Sequence, residues 1–192
     1  SSISFNMLFL EEIWSRNFTN LFIAPLRVSE IVTALTATAF IRTLIGIVPA
    51  VLLASPFFGV SILNLGPSLV LLLLSLYIFG MTLGLLVVSG LLRYGPAFEN
   101  VAWSSLFLLA PLGCIYYPLS ILPEWLQVIA KCLPLVYIFE EVRSILLNNV
   151  VNYTNIMSAL LLNLIYLSLS IFVFYSAFAQ ARKRGALINV GE

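Results

Sequence analysis

The chain has 192 residues, of which 61% are hydrophobic and 9% are charged, and its net charge is +1. Soluble domains are about 45–50% apolar and about 25% charged, so this composition excludes an ordinary soluble domain and favours lipid as the solvent. The near-neutral charge excludes a basic surface for nucleic acid. The sequence contains no histidine, so it lacks the commonest general base and metal ligand. We therefore expect an all-α integral membrane protein without catalytic residues, metal or cofactor.

The N-terminal segment has an amphipathic pattern. The chain begins with Ser inside an apolar stretch, which predicts that the natural N-terminus lies upstream. Residues 11–27 then mix charged and apolar side chains. Trp14, Phe18, Leu21 and Phe22 recur at helical spacing, which predicts a short helix that ends before Pro25. Two interpretations are equally open, a helix that docks on a soluble partner and a helix that lies on the lipid headgroups.

Four apolar segments are predicted to span the membrane, and they cover residues 31–57, 67–92, 101–117 and 156–179. Between the last two, Pro118, Pro123 and Pro134 divide the segment 118–150 into two short helices, 124–132 and 135–149. Neither helix is long and apolar enough to span. Broken helices at membrane depth persist only where they pack against protein or line water. This segment is therefore predicted to be a re-entrant helical hairpin.

The distribution of basic residues predicts the orientation. Six basic residues fall on the side of the membrane that holds 11–27, 93–99 and 182–192, namely Arg16, Arg27, Arg93, Arg182, Lys183 and Arg184. The other side holds Lys131 and Arg143. The positive-inside rule assigns the first side to the cytoplasm. The hairpin is then external.

Individual polar residues have open interpretations. Arg42 lies within the first span, where it would line a substrate route, form a structural ion pair or snorkel to the interface. Glu140, Glu141 and Arg143 would form an external gate, or decorate a solvated helix end. Glu140 and Arg143 have the spacing of a helical ion pair. Adjacent carboxylates point about 100° apart on a helix, so Glu140 and Glu141 are not expected to face one site.

Two cysteines and the absence of enzyme motifs complete the residue-level analysis. Cys114 and Cys132 are expected to be small buried hydrophobes, although a disulfide stays open. The sequence contains no His-Glu-x-x-His motif, no serine or cysteine nucleophile paired with histidine, and no Gly-rich phosphate loop. These absences count against a membrane-embedded enzyme and against nucleotide binding by this chain.

Two segments of the chain carry recognisable motifs. Residues 11–26 read EEIWSRNFTNLFIAPL and are followed by Glu30, which resembles the cytoplasmic coupling helix in the permease subunits of type-2 ABC exporters. Residues 117–127 read YPLSILPEWLQ and continue through 133–135 to 139–143, which resembles the re-entrant hairpin before the last span. Family members usually have six spans, so about one and a half are absent here.

The resemblance implies a polytopic helical bundle, 1–192, with a cytoplasmic coupling helix and an external re-entrant hairpin before the last span. It implies a dimer of permeases in a bacterial inner membrane, each docked on a separate ABC ATPase subunit that hydrolyses ATP. The coupling residues would be Trp14, Arg16, Phe18, Asn20, Leu21 and Pro25. Arg42, Glu140, Glu141 and Arg143 would belong to the translocation path or gate.

The implied function is outward transport of a glycan, lipid or drug-like substrate. The alternative is a secondary carrier or channel that does not depend on ATP, and a membrane-embedded enzyme is the weaker rival. A carrier needs ionisable residues near the midplane, and only Arg42 meets that condition.

Overall fold

The computed structural model describes residues 28–58, 66–148 and 150–183, and every regular element within these ranges is helical. The all-α class is thereby confirmed for the described residues. Short 3-10 helices occupy Pro96–Phe98 and Leu119–Ile121. The α-helices in chain order are α1 (Val28–Phe58), α2 (Pro67–Tyr94), α3 (Glu99–Leu112), α4 (Glu124–Ala130), α5 (Pro134–Asn148) and α6 (Tyr153–Lys183).

Two of the described helices, α2 and α6, are long and apolar enough to cross a membrane, with mean hydropathies of 2.5 and 2.2 in their most apolar windows. Further apolar helical runs among the described side chains cover Thr36–Pro49 in α1 and Trp103–Leu112 in α3. The 14 residues of α3 extend about 21 Å, less than a hydrocarbon core of ~30 Å. The span predicted over 101–117 corresponds to α3, which ends at Leu112, earlier than expected.

The sequence around Pro111 explains the early end of α3. Proline has no backbone N–H, so Pro111 removes one bond from the last helical turn. The Gly113 N–H still donates to the Leu109 carbonyl at 2.8 Å. Cys114 then adopts a φ of 53°, in the left-handed region that ends helices and that is uncommon for residues other than glycine. The chain leaves the helix at this point.

The α4–α5 hairpin agrees with the proline pattern. The two helices predicted over 124–132 and 135–149 are observed as Glu124–Ala130 and Pro134–Asn148. The predicted and observed helix ends differ by at most two residues, which is the usual uncertainty of a helix end. The placement of the α4–α5 hairpin as re-entrant and external stays a prediction.

The contacts divide the chain into two compact units. One contains residues 1–46, 80–102 and 168–192, and the other contains residues 47–79 and 103–167. The second unit has two apolar clusters. In one, Leu72 of α2 packs with α5 and α6 through Ile138, Ile145, Ile156 and Ala159. In the other, Cys114 and Leu122 pack with Ala130 and Val136 of the hairpin.

In the first unit, the end of α2 is closed by a glycine turn. Gly95 has a φ of 78°, and its N–H donates to the Leu91 carbonyl at 2.8 Å. Only glycine adopts this conformation without steric cost, which makes it the usual helix-ending residue. The ring of Phe98 packs directly on Gly90, so closely that a methyl group there would overlap the ring. Gly95 therefore makes the turn that ends α2, and Gly90 leaves room for the Phe98 ring.

Candidate functional site

The charged residues of α5 form the candidate site. Arg143 Nη1 donates to Glu140 Oε1 at 2.8 Å, so the predicted i, i+3 ion pair is observed. The same Glu140 oxygen accepts a bond from the Leu119 backbone N–H at 2.7 Å. These two residues are part-buried, with 31% and 24% of the Glu140 and Arg143 side chains exposed. This ion pair therefore also bonds to the backbone and is partly buried, which distinguishes it from an isolated ion pair on the surface.

Arg143 also contacts the end of α3. Its Nη2 donates to the carbonyl oxygen of Cys114 at 3.2 Å. Cys114 is the residue in the left-handed conformation, which costs a residue with a side chain roughly 1–2 kcal/mol. A hydrogen bond to a charged donor contributes about 1.5–3 kcal/mol, enough to offset that cost. Arg143 therefore holds the chain in the bend that follows α3.

Glu141 contacts a different part of the chain. Its carboxylate accepts a bond from the Asn152 backbone N–H at 2.6 Å and from Asn155 Nδ2 at 3.0 Å. Both residues lie at the start of α6, where Asn152 also caps the helix by accepting from the Thr154 N–H at 3.2 Å. The free N–H groups at a helix start favour a negative charge. Glu141 therefore fixes the N-terminus of α6 to α5.

The two carboxylates differ in burial. Glu141 is 0% exposed, so the expectation of a solvated helix end is wrong for it. The reason is that its two amide partners replace water as donors. The prediction that Glu140 and Glu141 do not face one site is confirmed, because their partners lie in different segments. Together, the α5 charges fix the bend after α3, the start of the hairpin and the start of α6.

A second polar feature lies on α2 and was not predicted from the sequence. Hydroxyl residues recur every seven positions on one face of α2, and all are buried: Ser68, Ser75, Thr82 and Ser89. A seven-residue repeat is nearly two helical turns, so these residues share one face. The repeat is visible in the sequence and would have identified the buried face of this otherwise uniformly apolar helix.

Asn163 of α6 is the partner of this face at Ser75. Its Nδ2 donates to the Ser75 carbonyl at 3.0 Å and to the Ser75 hydroxyl at 2.6 Å. A carbonyl only accepts, so the amide orientation is fixed. The Oδ1 of Asn163 is buried and has no hydrogen-bond partner in the described part of the chain. The α2–α6 pair thus has one two-bond polar contact and one unsatisfied acceptor.

The other residues singled out in the sequence have different settings. Arg42 is an exposed residue of α1 and belongs to the other unit. Trp14, Arg16, Phe18, Asn20, Leu21 and Pro25 lie outside the described residues. Cys114 is buried and Cys132 is exposed, and both are free thiols. The expectation for Cys132 is wrong because it lies in the turn after α4, where Ala130 takes the buried position.

Comparison with known proteins identifies the family. The model of the ABC-2 type transporter family matches residues 1–147. That range includes both motifs described above and ends within α5, after the Glu140–Arg143 pair.

The chain belongs to the ABC-2 type transporter family.

The family assignment establishes this chain as the membrane component of an ABC transporter, an integral membrane permease that takes part in transport and is not itself the catalytic subunit. The apolar helices α2 and α6 agree with this assignment. No curated protein and no solved structure matches the permease. Within the described ranges, no group of three or more histidine, cysteine, aspartate or glutamate residues could hold a metal ion.

All of α6 lies beyond the matched region. The match ends at residue 147, whereas α6 extends over Tyr153–Lys183. Asn152, Asn155 and Asn163 are therefore features of this permease that the family match does not describe. The α5 charges connect the matched part of the permease to α6.

Proposed function

We propose that this permease is an exporter that moves its substrate outward and is driven by ATP hydrolysis on a separate ABC ATPase subunit. The observation that supports this most is the family match over residues 1–147, because it contains the segment 11–26 with its coupling-helix pattern. Two permease copies and two ATPases would form the working complex. A glycan, lipid or drug-like molecule would be the substrate, and a bacterial inner membrane the location.

The coupling segment would receive the mechanical input. Trp14, Phe18 and Leu21 form the apolar face that would insert into a groove of the ATPase, where buried aromatic and aliphatic side chains supply most of the binding energy. Arg16 and Asn20 would contribute polar contacts at the rim, and Pro25 would end the helix before the first span. Closure of the ATPase pair on ATP would then move the spans.

The α4–α5 hairpin would form the outer exit. Hydrogen bonds attach it to α6 at two places, from Asn152 and Asn155 to Glu141, and from the Tyr166 hydroxyl to the Cys132 carbonyl at 3.0 Å. The Leu72 cluster adds apolar contact between α5 and α6. Because of these contacts, a movement of this part of α6 would move the hairpin with it. Glu140 and Arg143 would then be positioned at the gate, and Arg42 along the translocation path.

Leu21→Asp tests the coupling role. A charge on the apolar face should prevent docking, so the ATPase should no longer co-purify with the permease in detergent and export should stop. Thr19→Asp is the matched control, because it adds the same charge off that face. Equal export by the two variants would contradict the coupling role. Transport by the permease alone, driven by a proton gradient, would instead favour the secondary carrier.

A further inference from the structure

The C-terminal end of α6 has an open groove of about 570 Å³. Its lining is apolar and aromatic toward the middle of α6 and basic at the end of the helix. The lining residues are Tyr175, Phe178, Ala179, Arg182 and Lys183. They recur at spacings of three and four residues, so they share one face of the helix. The groove therefore runs along α6, with its cations at the helix end.

The two cations are available to a ligand. Arg182 and Lys183 are exposed, and no ion pair is formed by either within residues 28–58, 66–148 and 150–183. The guanidinium of Arg182 can bind two phosphate oxygens at once, and the ammonium of Lys183 adds a point charge. Two adjacent cations beside aromatic rings fit an anionic group attached to an apolar body.

The setting of α6 identifies that apolar body. Only 22% of its most apolar window is buried within the described part of the chain, so most of this apolar helix is open to further apolar contact. Phe172 is 73% exposed and Tyr175 is 50% exposed, and they lie about three and about two turns before Arg182. The distance along the helix from Phe172 to Arg182 is about 15 Å, which covers a headgroup and the upper part of an acyl chain. Tyrosine rings prefer this depth.

We propose that the groove at the end of α6 binds an anionic phospholipid, with its phosphate on Arg182 and Lys183 and its acyl chain along Phe178 and Tyr175. Each basic residue near an anionic membrane surface favours binding roughly 5-fold, so the pair predicts about a 25-fold preference over a zwitterionic lipid. The site lies beyond the family match and so goes beyond the proposed function. In the orientation proposed for the exporter, this lipid would lie in the inner leaflet. Only that assignment rests on the proposed orientation.

Lipid retention by the full-length permease tests the site. The protein is extracted from vesicles that contain equal parts phosphatidylglycerol and phosphatidylcholine, and the retained lipids are counted by native mass spectrometry. Wild type should retain phosphatidylglycerol preferentially, and Arg182→Gln with Lys183→Gln should lose about 25-fold of that preference. Arg93→Gln, an exposed cation at the end of α2, should leave it unchanged.

A second variant separates headgroup from acyl contact. Tyr175→Ala should reduce the total lipid retained but keep the preference, since the cations remain. An unchanged preference in the Arg182/Lys183 variant would overturn the proposal. So would displacement of the lipid by inorganic phosphate alone at millimolar concentration, which would identify a site for free phosphate. Neither readout involves the ATPase, so failure here leaves the exporter proposal to be judged by the Leu21 experiment.

Discussion

Arg143 donates a hydrogen bond to the carbonyl oxygen of Cys114, the one described non-glycine residue with a positive φ. The two residues are 29 positions apart, so the bond joins the bend after α3 to the middle of α5. The same guanidinium is paired with Glu140, which in turn accepts from the Leu119 N–H. A single arginine thus holds both ends of the segment between α3 and the hairpin.

Arg143→Gln should destabilise the permease by about 1.5–3 kcal/mol, because it removes the charged donor of two hydrogen bonds. The thermal unfolding midpoint in detergent measures the effect. Lys131→Gln is the control, since Lys131 is an exposed cation of the same hairpin and should change the midpoint little. Equal midpoints for the two variants would show that Arg143 does not hold the bend.

Glu141→Gln should be strongly destabilising although it changes few atoms. The glutamine places an N–H₂ group where one carboxylate oxygen now accepts, and this group faces the donor Asn155 Nδ2. The buried mismatch should cost about 1–3 kcal/mol. Adding Asn155→Asp restores an acceptor opposite the new donor and should recover much of the loss. A double variant no more stable than Glu141→Gln would count against this contact.

Two substitutions at Asn163 should distinguish the stabilisation from its hydrogen-bond donor from the cost of its unsatisfied acceptor. Asn163→Asp places a carboxylate oxygen against the Ser75 carbonyl and should cost about 2.5–3.5 kcal/mol in a membrane span. Asn163→Leu loses hydrogen bonds of roughly 0.6–2 kcal/mol but also removes the buried Oδ1, so its net effect should be small. Detergent unfolding compares them, with Asn148→Asp as an exposed control. A leucine variant as unstable as the aspartate variant would contradict this account.

Gly90→Ala should destabilise the first unit even though alanine is the better helix former. The added methyl overlaps the Phe98 ring, and overpacking of this kind costs about 1–3 kcal/mol against a helix-propensity gain of about 1 kcal/mol. Phe98 also stacks on Tyr94, with ring centroids 5.7 Å apart, which limits its freedom to move away. Phe98→Ala in the Gly90→Ala background should remove the overlap. The contact is refuted if Phe98→Ala lowers the free energy of unfolding equally in the wild-type and the Gly90→Ala backgrounds.

The sequence by itself determined the class of the protein and where most of its helices begin and end. The lack of charge specifies a lipid environment, and Pro118, Pro123 and Pro134 divide the hairpin region, because proline acts on the backbone at its own position. The ends of α4 and α5 follow closely. The end of α3 was missed although Pro111 weakens its last turn, because the left-handed bend at Cys114 is held by Arg143 of another helix.

Only the tertiary structure decided what each polar side chain contacts. Helix geometry separates the directions of Glu140 and Glu141, but it does not say which segment lies in either direction. Their partners are 11 to 21 residues away, and the partner of Asn163 is 88 residues away. Such contacts depend on how distant helices pack. Local sequence rules describe neighbours along one helix, so they gave the Glu140–Arg143 pair and none of the bonds that join α5 to the rest of its unit.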